Sequence, residues 1–219
     1  MVSSGWPAPM LRWSCAFAMV CGACAICIFC VDRSVANWAA TLVGFPRPAL
    51  LDYPWLTLIL MFAVLVIAER AAEGRGLSHL SQALFLSGFA LAWGVCTTEF
   101  VLKPLFGRQP PSEWIAHGIF AFHWFFRTDN GSFPSGHSVQ MAAVGTVFWN
   151  AYPHWRWAYG AAILLLSAAL VAGNWHYVSD VIAGLFVGVT AGLIVEALWN
   201  GPRRTSPAEE PPQTDAIIR

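Results

Sequence analysis

Two histidines stand at the starts of long apolar runs in the second half of the chain. His137 ends the sequence Pro134-Ser-Gly-His, and His176 lies four residues before Asp180. Because residues four apart share one face of a helix, Asp180 can accept a hydrogen bond from one ring nitrogen of His176. The other nitrogen is then free to attack an electrophile, and His137 can supply a proton to a leaving oxygen. The spacing therefore predicts nucleophilic chemistry.

The same half of the chain carries groups that suit a phosphate. Lys103 is the only lysine, and Arg108 follows five residues later. Cations neutralise phosphate oxygens, and arginine does so with a two-pronged fork. Ser135 and Gly136 open a helix, where backbone N–H groups and the helix dipole bind anions. Each feature taken alone also fits a structural role, such as a lysine that reaches the membrane surface or a polar pair that joins two helices.

The composition is that of a membrane protein. The chain has 219 residues, of which 57% are hydrophobic and 11% charged, with twelve tryptophans. A helix that spans a bilayer needs about 20 mostly apolar residues. The runs are near-continuous rather than periodic, which disfavours a soluble helical protein. We expect an all-α fold, an integral membrane six-helix bundle with spans at 11–31, 54–72, 80–102, 138–153, 155–173 and 177–199, of which the second and fourth are the weakest.

The order of the spans places the chemical residues on one side of the membrane. The connection between the third and fourth spans, 103–134, and the junction of the fifth and sixth must face the same side in either orientation. The distribution of arginines favours an inner N-terminus, which puts the active site at the outer ends of helices 3, 4 and 6. We expect one membrane domain at 1–200, an outer loop at 32–53 and a disordered cytoplasmic tail at 201–219.

Other features point away from metal and nucleic-acid chemistry. Four cysteines recur every third residue from position 21 to 30, but they lie in an apolar span, where cysteine packs as a small hydrophobic residue. The net charge of zero offers no basic surface to nucleic acid. We expect no metal, nucleotide or haem cofactor, and the sequence leaves the oligomeric state open.

The motifs resemble those of the type-2 phosphatidic acid phosphatase superfamily over about residues 80–195. They read Lys103-Pro-Leu-Phe-Gly-Arg108-Gln-Pro-Pro111, Pro134-Ser-Gly-His137 and His176-Tyr-Val-Ser-Asp180. The resemblance implies a metal-free mechanism in which His176 is the nucleophile and forms a phosphohistidine. It also implies that Asp180 orients His176, and that His137 protonates the leaving group and then activates water. Phosphate oxygens would be held by Lys103, Ser135 and the Gly136 amide.

The chain departs from the family pattern at two arginines. The family usually has an arginine seven residues after the lysine, where this chain has Pro110. It also usually has a Ser-Arg pair before the third-motif histidine, where this chain has Ala169 and Leu170. We expect Arg108 to replace one of these phosphate-binding cations and Arg127 to replace the other.

These observations predict an integral-membrane phosphatase that hydrolyses a lipid phosphomonoester or diphosphate. The expected partners are the lipid bilayer and a lipid substrate with a phosphate or diphosphate headgroup. The expected location is a bacterial inner (plasma) membrane with the site facing the periplasm. Two alternatives remain: a phosphotransferase that passes the phosphoryl group to an alcohol, and a non-catalytic lipid-phosphate binder or transporter.

Overall fold

The described part of the chain folds mainly into helices. The computed structural model describes residues 8–42, 54–126 and 131–204. Within them no strand forms, and one isolated β-bridge joins Arg108 to Phe122. The helices are α1 (Ala8–Ile26), α2 (Asp32–Ala40), α3 (Pro54–Gly74), α4 (Ser78–Thr97), α5 (Lys103–Phe106), α6 (Pro111–His117), α7 (Gly136–Ala151), α8 (Arg156–Ala172) and α9 (Val178–Arg204).

Two pairs of these helices, α1 with α2 and α4 with α5, are each one continuous helix interrupted by a π-helical turn. Cys27–Val31 joins α1 to α2, and Thr98–Leu102 joins α4 to α5. Such turns place one extra residue in a helix and are frequent at functional sites. Here the first turn immediately precedes Asp32, and the second immediately precedes Lys103.

Four helical stretches in the described part of the chain are long and apolar enough to cross a membrane. They are Leu11–Ala40, Ser78–Phe106, Pro153–Ala172 and Val178–Gly201. They correspond to the first, third, fifth and sixth predicted spans. The other two predicted spans fall on α3, which carries three charged residues near its end, and on α7, which has 16 residues. The all-helical, membrane-type fold is confirmed, and the count of six crossings stays a prediction.

The outer loop predicted at 32–53 is wrong over its first part. Residues 32–40 form α2, because Asp32 is fully buried and Ala36 and Ala39 pack inward on the same element. Residues 43–53 lie outside the described residues. The helix α9 continues to Arg204, past the predicted start of the tail at 201, and residues 205–219 also lie outside the described residues.

Small residues bring α9 close to α7. A Cβ atom on Gly188 would overlap the carbonyl oxygen of Val139 and lie 2.7 Å from the Ala142 Cβ. Gly184 lies in the same way against the carbonyl oxygen of Ser135, one turn nearer the start of α9. Glycines four residues apart allow helix backbones to approach closely. The result is a tight pair of helices that holds the start of α7 against the start of α9.

Candidate active site

The turn that begins α7 is tied directly to α9. Ser135 caps α7, since its Oγ accepts hydrogen bonds from the Ser138 N–H at 3.4 Å and the Ser138 hydroxyl at 3.1 Å. The Ser135 N–H donates to the backbone carbonyl oxygen of Asp180 at 3.0 Å. The Pro-Ser-Gly-His turn and the His-x-x-x-Asp segment therefore form one structural unit, and Ser135 itself is fully buried.

The two histidines face each other across this unit. The ring centroids of His137 and His176 lie 6.2 Å apart, with the ring planes inclined by 62°. The Nε2 atom of His137 is buried and has no hydrogen-bond partner among the described residues. A buried polar atom without a partner is costly, so this nitrogen is suited to a ligand or a proton in transit.

Asp180 lies behind His176. Its Oδ2 is 3.6 Å from the His176 Nδ1 and accepts a hydrogen bond from the Tyr177 N–H at 2.9 Å. The contact with Nδ1 is longer than a hydrogen bond, and the His176 Nδ1 has no hydrogen-bond partner among the described residues. Catalytic contacts of this kind often tighten only when substrate binds. With Nδ1 directed at the carboxylate, the Nε2 of His176 is the nitrogen that can act as a nucleophile.

Lys103 lies beside the start of α7. Its ammonium pairs with the Glu99 carboxylate, and both side chains are largely buried. A Cβ atom on Gly136 would lie 3.3 Å from the Glu99 Oε1 and 3.9 Å from the Lys103 Nζ. The absence of a side chain at Gly136 thus lets the cation approach the backbone at the helix start, where a phosphate would bind.

Arg108 is enclosed rather than open to a ligand. It is 1% exposed; its Nη1 donates to the Asp180 Oδ1 and its Nη2 to the Asp32 Oδ2, the latter at 2.7 Å. Burial alone would lower the pKa of Arg108, but the charge of Asp180 and the hydrogen bond that Arg108 donates to Asp32 raise it above its usual value, so the guanidinium stays charged. This geometry favours a positioning role over the phosphate contact expected from the sequence.

Aromatic rings complete the enclosure of Arg108. Its guanidinium carbon lies 4.1 Å from the ring centroid of Tyr177, 4.9 Å from that of Phe122 and 5.0 Å from that of Phe120. A cation over an aromatic face is stabilised by the ring quadrupole. Part of the aromatic-rich connection 103–134 therefore packs inward around this cation, while Phe125 and Phe126 remain exposed.

Asp32 is a site residue that the sequence motifs did not reveal. It is fully buried; its Oδ1 accepts from the Ser179 N–H at 3.1 Å, and its Oδ2 accepts from the Ser179 hydroxyl and from Arg108. One signal was present, because Asp32 is the only acidic residue before position 52 and follows an apolar run. Ionisable residues in such segments are rare and usually functional. Arg127, the other expected phosphate ligand, lies outside the described residues.

Comparison with known proteins identifies the family. The model of the PAP2 superfamily matches residues 83–203, more than half of the chain. This protein belongs to the PAP2 superfamily. The resemblance seen in the sequence is thereby confirmed, and the protein is a membrane lipid phosphatase of this superfamily.

Two relatives match over most of their length. A lipid A 1-phosphatase of Rhizobium johnstonii is 28% identical over 210 residues, which cover 90% of this chain and 84% of the relative. A lipid A 1-phosphatase of Rhizobium etli is 30% identical, with 87% of each chain covered.

A solved structure supports the fold. The PAP2-type phosphatidylglycerolphosphate phosphatase of Bacillus subtilis matches with a TM-score of 0.53 and 18% identity, covering 86% of this chain and 98% of that one. The PAP2 match begins at residue 83, so the contact that Asp32 makes with Arg108 comes from a helix outside the matched region.

Proposed function

We propose that this PAP2 protein hydrolyses a lipid phosphate through a phosphohistidine formed on His176. The observation that supports this most strongly is the pair of facing histidine rings, with Asp180 against the Nδ1 atom of one of them. A binding protein needs cations and amides for a phosphate, but it does not need a nucleophile with an orienting carboxylate. The arrangement therefore favours catalysis over simple binding.

The first chemical step uses His176 and His137 in opposite roles. The His176 Nε2 attacks phosphorus and forms an N–P bond, while the bond between phosphorus and the lipid oxygen breaks. His137, held in its protonated form by the negative charge of the bound phosphate, gives its proton to that leaving oxygen. The imidazole of His176 becomes positively charged, and the Asp180 carboxylate stabilises this charge through the Nδ1–H.

The second step releases phosphate. His137, now neutral, takes a proton from a water molecule as the water oxygen attacks phosphorus. The N–P bond breaks, and inorganic phosphate and free His176 result. In both steps the charge on the phosphoryl oxygens is stabilised by Lys103 and by the backbone N–H groups at the start of α7.

We place the 1-phosphate of lipid A first among the candidate substrates. The support is the pair of relatives named lipid A 1-phosphatase, which match this chain almost from end to end. Phosphatidic acid, phosphatidylglycerol phosphate and undecaprenyl diphosphate are the comparison substrates. The proposed location is a bacterial inner membrane with the site facing the periplasm, because the distribution of arginines along the chain favours an inner N-terminus.

Phosphate release by purified, detergent-solubilised protein tests the proposal. The four lipids are supplied with EDTA and without any alcohol acceptor, and mass spectrometry locates the position of the lost phosphate. We expect release from lipid A by wild type and none by His176→Ala. His79→Ala is the matched control, because His79 lies at the start of α4 against Tyr152, and it should retain wild-type release. Release that persists in His176→Ala would contradict the proposal.

A further inference from the structure

A buried charge network extends from Asp180 to two residues, Arg108 and Asp32, that take no part in the two chemical steps. It contains Asp32, Arg108 and Asp180, with exposed fractions of 0%, 1% and 0%. The guanidinium of Arg108 lies between the two carboxylates and contacts one with each Nη atom. Ser179 joins the network, because its hydroxyl donates to Asp32 and accepts from Arg108 at 2.6 Å.

The sum of charges in this network explains why a second carboxylate is useful. Arg108 paired with Asp180 alone would neutralise the carboxylate that His176 needs. With Asp32 present, two negative charges share one positive charge, and the network keeps a net charge of −1. This remaining negative charge is available to the imidazolium that forms when His176 attacks phosphorus, in a buried setting where charge interactions are strong.

Asp32 also fixes the position of the helix that carries Asp180. Its Oδ1 accepts from the N–H of Ser179, which lies in the first turn of α9. The first N–H groups of a helix have no partner within the helix, and a carboxylate is a favourable acceptor for them. Asp32 therefore caps α9 from another part of the chain, one residue before Asp180.

We propose, on the basis of the phosphohistidine function above, that Asp32 is a positioning residue for the nucleophile. Asp32 pairs with one Nη atom of Arg108, so that the charge of Asp180 is only partly neutralised. It also accepts a hydrogen bond from the first turn of α9, which keeps Asp180 at the Nδ1 atom of His176. Asp32 touches neither the lipid nor the phosphate, and its effect reaches the reaction through Arg108 and Asp180.

The first test is Asp32→Asn, which preserves shape and removes the charge. We expect kcat to fall about 10- to 100-fold, by analogy with the loss when a hydrogen-bonding partner of a metal-bound histidine is replaced. The KM should stay within about twofold, because Lys103 and the start of α7 are unchanged. The matched control is Glu69→Gln, which makes the same carboxylate-to-amide change at a buried residue paired with Arg70 and Ser81, and should keep wild-type kcat.

The second test is the double variant Asp32→Asn/Arg108→Gln, which removes both charges and leaves Asp180 without a neutralising cation. If Asp32 acts by offsetting Arg108, the double variant should be several-fold more active than Asp32→Asn alone. A purely structural role predicts the reverse, since the second substitution would add damage to the first. The comparison is made on protein that elutes as a folded species in detergent.

The outcomes separate this inference from the proposed function. The role of Asp32 would be overturned if Asp32→Asn kept the wild-type kcat, or if its KM rose as much as its kcat fell. It would also be overturned if the double variant were no more active than Asp32→Asn alone. In those cases phosphate release that depends on His176 would leave the phosphohistidine function intact. Release that persists in His176→Ala would overturn both.

Discussion

Replacement of Arg108 by methionine distinguishes a structural cation from a phosphate ligand. The substitution leaves the carboxylates of Asp32 and Asp180 buried without their shared partner. Removal of one member of a buried ion pair costs about 3–5 kcal/mol. For a chain of this size each kcal/mol shifts the unfolding temperature by about 2–4 °C, so the expected decrease is about 6–20 °C.

Thermal unfolding in detergent, followed by tryptophan fluorescence, measures this decrease. The matched control is Arg156→Met, because Arg156 is exposed and lies over the ring of Trp149 at the opposite end of α7. An exposed contact of this kind is worth about 1 kcal/mol or less, and the control should unfold close to wild type. If Arg108→Met kept the wild-type unfolding temperature and only raised KM, Arg108 would be a phosphate ligand and the reasoning from its contacts would be refuted.

Two further substitutions test the packing of the helices and the acid. Gly188→Ala places a methyl group into the backbone of α7 and should destabilise the protein by about 1–3 kcal/mol in thermal unfolding, whereas Gly22→Ala, with nothing within 4 Å of the new Cβ, should not. His137→Ala should lower turnover of lipid phosphates about 10²- to 10⁴-fold. With an aryl phosphate, whose leaving group needs no proton, the same variant should still show a phosphoenzyme burst in rapid-quench assays; loss of the burst as well would argue against His137 as the acid.

The helices were predictable where local composition decides the structure. Continuous apolar runs of about 20 residues have few alternatives to a helix in a membrane, so the runs beginning near positions 11, 80, 155 and 177 appear as long helices. The extent of α2 was not predictable, because Asp32-Arg33-Ser34 is a polar sequence typical of a loop. Its helical state depends on a partner for Asp32 that lies 76 residues away.

In the candidate site too, contacts between residues close in sequence were predictable, and contacts between distant residues were not. The spacing of four residues between His176 and Asp180 predicted that the two side chains meet, and the structure places them 3.6 Å apart. The motif that contains Arg108 predicted a cation near the site, but it did not predict which groups the guanidinium contacts. Which anion it faces is decided by the long-range approach of Asp32, for which a single sequence holds no local pattern.

The two π-helical turns set the rotational register of the site. One extra residue in a helix turns everything after it by about 100° relative to an uninterrupted α-helix. Asp32 directly follows the first of these turns and Lys103 directly follows the second, on two separate long helices. The directions of the Asp32 and Lys103 side chains therefore depend on the number of residues in the turn before each of them. Within the second turn, Glu99 pairs with Lys103. The loss of a single residue from either turn would rotate Asp32 or Lys103 away from its partner.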